Sequence, residues 1–472
     1  MADTLNIVNS LIIVLIFIAA ALLMHFRILS ALVTLPILAI VIALVCGVPN
    51  NEIAEKIINN GSTKLANTYT TTLFGAILAE LIIKHNIASK FIKFTAEFAS
   101  DNPVIMSFFI IIVTSVLFST IGGLGAVIMV GTIVLPVMLS LSIPPRVAGG
   151  IFLFSISLGG IYNFAGWQLY IDVLKINPNE IIKFVIPFSL LYFLILLIFL
   201  MVELRENIRK NLIYFLVLFF GVGILFFNIN NFNFKLSLDK YTDESYLYTF
   251  ILFGLSIIYA ISRKLKNNTN INNLSMLIPF IPLVLVLLFK WPFITAFVIA
   301  IAFCVTITWC DKSIQLLTSS IIDGISKVIP AVFLMIGIGM LLNSVTSQSV
   351  SQRINPIINL IIPHNAIMYI ITFTILAPLA LYRGPLNLWG MGGAVASLIN
   401  KSGKLSNKAL MGMLMSVGQI QGVCDPTNTQ NIWIANYLGL ETQSLLLKTL
   451  PYTWLMVVGG LILAVCQGYV QW

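Results

Sequence analysis

With 472 residues, 59% hydrophobic and 9% charged, and a mean hydropathy of +1.02, the chain has too few charges for a soluble domain, where about 25% is usual. It reads as an all-α polytopic membrane protein, multi-pass in the cell (inner) membrane. The net charge of +9 belongs to loops that set orientation and does not indicate a nucleic-acid partner.

"MADTLN" places no basic residue ahead of the first apolar run, so 6–24 reads as a retained first helix and not a cleaved signal. Further apolar runs predict spans near 28–47, 68–83, 147–162, 180–202, 211–228, 246–262, 275–289, 292–309, 329–342, 408–423 and 450–470. The runs 104–140 and 366–399 are too long for one helix each, which gives about 11–14 membrane segments. Segments 50–66 and 312–327 have amphipathic spacing and are expected to be interfacial or connecting helices. The five cysteines form no C-x-x-C pair, and His25, His85 and His364 are scattered. No H-E-x-x-H, phosphate-binding loop or G-x-S-x-G is present, so neither a metal centre, a cofactor nor an enzyme is expected.

The chain repeats itself. At an offset of 262, Gly75 meets Gly337; within 105–131, Ile105, Met106, Leu117, Gly122, Leu124, Met129 and Gly131 meet identical residues. Those are seven identities where composition alone would give roughly two. Past "NKSGKLSN" the offset becomes 264, and Leu174/Leu438, Pro187/Pro451 and Leu191/Leu455 coincide. The expected organisation is a first repeat over 1–205, a linker with two transmembrane helices over 206–269, and a second repeat over 270–472.

Loop charge relates the halves. "ELRENIRK" (203–210) and "SRKLKNN" (262–268) are both basic and expected inside, whereas both termini fit outside. The loop 84–93 carries Lys84, Lys90 and Lys93, and its counterpart 346–355 only Arg353, so the two fall on opposite sides. Each half then crosses an odd number of times, and the repeats have inverted topology. Lys401, Lys404 and Lys408 sit less easily with that assignment.

Inverted repeats with Gly/Pro-interrupted spans at matching positions point to a secondary transporter whose site lies between the breaks. "STIGGLGA" (119–126) matches "LYRGPLNL" (381–388), and "GGIYNFAG" (159–166) matches "CDPTNTQN" (424–431). Broken helices free N–H groups that attract anions and carbonyls that hold cations. These halves, breaks and the downstream "NYLGLETQSLLLKTLPYT" (436–453) resemble the ion transporter superfamily, in particular its gluconate permease and citrate/dicarboxylate carrier branches. The resemblance implies an elevator-like cycle and a homodimer. The dicarboxylate carriers of that superfamily carry Ser-Asn-Thr triplets at a hairpin tip and a broken helix. Here Thr427-Asn428-Thr429 stands in the second half and no Ser-Asn-Thr in the first.

The expected function is symport of a small organic anion, a sugar acid, citrate or dicarboxylate, driven by H+ or Na+. The alternative is a cation/proton antiporter. Arg383 is the expected partner of a substrate carboxylate, against a reading as a cation that snorkels to water. Asp425 is expected to bind the coupling ion with Asn428, or merely to cap the next helix. Gly384, Asn387, Thr427, Asn428, Thr429, Tyr162 and Asn163 are substrate-site candidates, against local bonding that heals the breaks. Gly122, Gly123 and Gly125 would allow close backbone approach to substrate, or simply pack. Glu80 is adequately explained by an i,i+4 pair with Lys84. Trp389 and Trp433 are aromatic candidates that interfacial placement would equally explain.

Overall fold

The computed structural model describes residues 2–26, 28–98, 102–204, 242–265, 273–363 and 365–470. The predicted span 211–228 lies outside them. The described residues are helical, without a strand. Among the described residues six helices are long and apolar enough to cross a bilayer, or seven where the bent pair 145–160 and 164–174 counts as one span.

The first half runs through α1 (Ala2–His25), α2 (Ala31–Val45), a long α3 (Asn50–Lys84), α4 (Ile87–Phe98), α5 (Pro103–Thr120), α6 (Leu124–Ser140), α7 (Pro145–Gly160), α8 (Phe164–Leu174) and α9 (Pro178–Glu203). After α10 (Thr242–Leu265) and α11 (Phe280–Leu287) come α12 (Phe293–Ile307), α13 (Ser313–Thr346), α14 (Gln348–Ile361), α15 (Ala366–Leu376), α16 (Gly392–Lys401), α17 (Asn407–Cys424), α18 (Thr429–Tyr437) and α19 (Thr442–Cys466). Adding 262 to α2 gives 293–307, the bounds of α12; adding 262 to α3 gives 312–346, one residue from those of α13. Adding 264 to α9 gives 442–467, again one residue from α19. The equivalent helices α5 and α15 each open on an asparagine cap, one residue out of register. Asn102 accepts from Val104 N at the start of α5, and Asn365 accepts from Met368 N at the start of α15.

Packing fixes how the halves are related. On α3 and α13, a Cβ on Gly61 would lie 2.7 Å from Met340 Cα, and one on Gly324 would lie 2.9 Å from Ala76 O. Residue 61 meets 340 and residue 76 meets 324, so the two helices run antiparallel through this crossing. Helices α9 and α19 are also equivalent and antiparallel. Lys448 pairs with Glu203 near one end, and Gln467 Nε2 donates to Lys183 O (3.0 Å) at the other. Ser157 Oγ of α7 donates to Gln419 Oε1 of α17 (2.7 Å), a further bond between the repeats. A two-fold axis along the membrane normal would leave equivalent spans parallel. Antiparallel equivalents require an axis in the membrane plane, the inverted topology expected from loop charge.

The repeats interleave. Helix α2 packs on α13 as α12 packs on α3, and α1 packs on α14, where Ser10 Oγ donates to Arg353 O. Two expectations are corrected. Segments 84–93 and 346–355 are not loops but lie largely within the amphipathic helices α4 and α14. Segments 50–66 and 312–327 are not separate connecting helices; each continues into a span, within α3 and α13. Short half-helices, α8 and α18, follow the second pair of breaks. The two long apolar runs divide as expected, at 121–123 and at 384–391.

Candidate functional site

After α15 the chain tightens into a 3-10 turn (Ala377–Arg383) and breaks. Leu381 is extended, and Tyr382 and Arg383 are left-handed, with φ of +56° each. Two consecutive non-glycine residues there cost about 1–2 kcal/mol each, so the surrounding contacts must hold the tip. Glycine makes the tip possible. A Cβ on Gly384 would lie 2.2 Å from Leu379 O, and one on Gly390 2.1 Å from Arg383 O. Arg383 Nη1 donates to Trp389 O (3.0 Å), and Asn387 Oδ1 accepts from Trp389 N (2.9 Å). Arg383 therefore braces the tip from within.

Asp425, 1% exposed, ends α17. Its Oδ1 accepts from Thr427 N (2.9 Å) and Thr427 Oγ1 (2.6 Å), and its Oδ2 accepts from Tyr382 N (2.8 Å). The carboxylate thus staples the 425–428 break to the 381–391 tip. The carbonyls freed at the end of α17 are met by amides beyond the break. Asn428 Nδ2 donates to Gln421 O (3.1 Å), Gln430 Nε2 to Gly422 O (3.0 Å) and Asn431 Nδ2 to Val423 O (2.9 Å). Asn428 Oδ1 in turn accepts from Gln421 Nε2 (3.0 Å). Thr429 is exposed at the start of α18.

In the first half, α7 and α8 meet at a 52° bend. Asn163 Oδ1 caps α8 by accepting from Ala165 N (3.0 Å) and Gly166 N (3.2 Å). The Tyr162 hydroxyl bonds Ser189 Oγ (2.7 Å) on α9.

A cavity of about 230 Å³ lies among these breaks, walled by the α7–α8 bend, the 387–389 tip and the end of α17. Its polar wall is Ser157, Asn387, Gln419, Gln421 and Gln430, and its aromatic wall is Trp167, Tyr170 and Trp389. None of the described side chains lining it is charged. Asn387 is 1% exposed, and its Nδ2 has no hydrogen-bond partner. A buried donor without a partner costs about 1–3 kcal/mol.

Of the residues singled out from sequence, Asn387 and Trp389 line this cavity. Arg383, Gly384, Asp425, Thr427 and Asn428 build the tip and break behind it, and Tyr162 and Asn163 form the opposite bend. Gly122, Gly123 and Gly125 stand apart. Gly122 and Gly123 are exposed with nothing near a would-be Cβ, and a Cβ on Gly125 would lie 3.2 Å from Lys327 Nζ. Trp433 packs over Gly131 and stacks on Tyr437, with centroids 5.1 Å apart. Glu80 is not held by Lys84. It pairs with Lys327 (2.5 Å) on α13, while Lys84 takes Asp323 (2.6 Å), because the antiparallel α13 brings charges from the other repeat. Sequence reasoning passed over Gln419, Gln421, Gln430 and the buried Asp172. Amides and a carboxylate within apolar helices were the available signal.

No family model and no curated protein matches the chain. Among solved structures it is similar to the Alcanivorax borkumensis YdaH transporter, whose structure is described as having an unusual topology. The identity is 11% and the TM-score 0.49, over 95% of this chain and 98% of that one.

Proposed function

We propose that this multi-pass membrane protein is a secondary active transporter that carries a small organic anion, of the sugar-acid, citrate or dicarboxylate kind, in symport with H+ or Na+. The observation that carries this reading is the cavity itself. It sits where breaks from two antiparallel repeats meet, and the buried Asn387, whose Nδ2 has no hydrogen-bond partner, forms part of its wall. Its size, below the roughly 300–1,000 Å³ of drug-sized sites, restricts the substrate to a small molecule. Asn387 Nδ2 and the start of α18, whose Asn428 makes no side-chain cap, favour an anionic group. Trp167, Tyr170 and Trp389 would cover its apolar part. The motif resemblance to organic-anion carriers supports the same class.

The test is counterflow in proteoliposomes against a panel of sugar acids and di- and tricarboxylates, followed by uptake under imposed H+ or Na+ gradients. Saturable exchange of at least one acid is the expected result. Sodium–proton exchange without any organic-anion flux would replace this reading with the antiporter one.

A further inference from the structure

Three glutamines give the cavity wall a hydrogen-bonding sense. Gln419 and Gln421 lie in the last two turns of α17 and Gln430 at the start of α18, and all three line the cavity half-buried. Backbone carbonyls fix which way each amide is turned, because a carbonyl can only accept. Gln430 Nε2 donates to Gly422 O (3.0 Å) and Gln419 Nε2 to Met415 O (3.0 Å). Gln421 is fixed one step further on. Asn428 gives its Nδ2 to Gln421 O (3.1 Å), so its Oδ1 accepts, and the atom that meets it is Gln421 Nε2 (3.0 Å).

The donors of Gln421 and Gln430 are thus spent on the helix end, and what these side chains keep is oxygen. Among the described residues neither side-chain oxygen has a hydrogen-bond partner. Gln419 Oε1 accepts from Ser157 Oγ (2.7 Å) and keeps one lone pair, and its Nε2 keeps one N–H. The end of α17 and the start of α18 therefore offer acceptors, whereas the 384–391 tip holds the unpartnered Asn387 Nδ2.

Acceptor oxygens repel a carboxylate and take hydrogen-bond donors. A solute that satisfies both walls carries its carboxylate and, apart from it, donors. An ammonium group would supply donors, but no described side chain lining the cavity is charged, so nothing offsets its desolvation, which costs far more than that of a hydroxyl. A hydroxyl both donates and accepts, so it also suits the N–H and lone pair left on Gln419. A second carboxylate would find no cation in the wall and would meet oxygens. We infer that Gln419, Gln421 and Gln430 set the specificity of this cavity, selecting acids that carry hydroxyl groups beside a single carboxylate over dicarboxylates and amino acids of the same size. In taking the cavity as the solute site, this rests on the transport reading above.

The test uses five acids of three carbons that differ by one group at a time. Propanoate, lactate and glycerate carry no, one and two hydroxyls. Alanine has an ammonium where lactate has its hydroxyl, and hydroxymalonate has a second carboxylate where lactate has its methyl. Binding to the full chain in lipid nanodiscs is measured by calorimetry at about pH 7.5, where the carboxyls are ionised, and exchange is measured by counterflow. Affinity should rise about two- to tenfold with each hydroxyl, the worth of one neutral hydrogen bond, and should fall from lactate to alanine and to hydroxymalonate by about tenfold or more. Gln430→Met, of similar length but without the oxygen, should flatten the rise. Gln430→Lys keeps a donor for Gly422 O and puts a cation in place of the oxygen, so it should raise hydroxymalonate relative to lactate by about tenfold. Propanoate bound as tightly as glycerate, alanine or hydroxymalonate bound as tightly as lactate, or no binding of any of the five overturns the inference, and the wild-type series decides this even where a variant fails to fold. An order of affinities unchanged in both Gln430 variants also overturns it. Binding that rises with hydroxyl count, without counterflow of any acid, would strike the transport reading alone.

Discussion

Replacing Asn387 by Asp changes one atom group at the most telling point of the cavity. The side-chain oxygen that accepts from Trp389 N at 2.9 Å is kept, so the tip can still fold. The unpartnered Nδ2 donor becomes a carboxylate oxygen in the cavity wall. A hydrogen bond to a charged ligand is worth about 1.5–3 kcal/mol, which at 1.4 kcal/mol per decade is about a 10- to 100-fold loss in apparent affinity for an anion. Like-charge repulsion in a site without lining charges adds to it. Counterflow of a transported acid at about pH 8, far above the ~3.9 of an ordinary aspartate, measures the loss, and thermal unfolding in detergent checks the tip. Asn387→Ala, which removes both the turn acceptor and the donor, should lose stability as well as transport. Anion counterflow that is unchanged or faster in a stable Asn387→Asp would refute the assignment of an anion to this cavity, and a cation flux gained in its place would point to the antiporter.

Arg383→Ala removes the brace on the Trp389 carbonyl and should lower transport about tenfold or more, the worth of one charge-assisted hydrogen bond; Arg383→Lys, lacking the planar fork, should recover only part of it in the same counterflow assay. Asp425→Asn sets an NH2 against one of the three donors that the carboxylate now accepts, so it should cost about 1.5–3 kcal/mol in chemical or thermal unfolding; a fall in gradient-driven uptake without that loss would instead make Asp425 a coupling group. Gly61→Ala and Gly324→Ala should each cost about 1–3 kcal/mol by overpacking the α3–α13 crossing, and unfolding penalties near zero would speak against that close approach.

Much of the architecture was legible because an inverted repeat writes itself twice. Gly122/Gly384 and Gly131/Gly393 carried the offset that the helix bounds follow, and the Gly, Pro and Asn clusters marked each break within a few residues. The short amphipathic helices α4 and α14 were hidden because Lys90, Lys93 and Arg353 lie on polar faces that look like loops at short range. The partner of Glu80 could not be read locally. Lys84, four residues on, satisfies the pairing rule, yet Lys327 arrives from 247 residues away through the antiparallel crossing. The same packing selects which polar residues reach the cavity. Asn387 and Gln430 were both within sight of the quoted breaks, but only the meeting of the two repeats places them on one wall, and Gly122 and Gly123 elsewhere.

A transporter's solute cavity must be served from both sides of the membrane. Gly418 lines that cavity and has nothing within 4 Å of a would-be Cβ, so Gly418→Cys fits without displacing a neighbour. In a background with the exposed Cys310 and Cys466 replaced by Ser, labelling of this cysteine by a membrane-impermeant thiol reagent is measured from each face of oriented vesicles. Labelling from either face is expected, slowed on both by a transported organic acid. Labelling from one face only, or labelling that no transported acid slows, would contradict it.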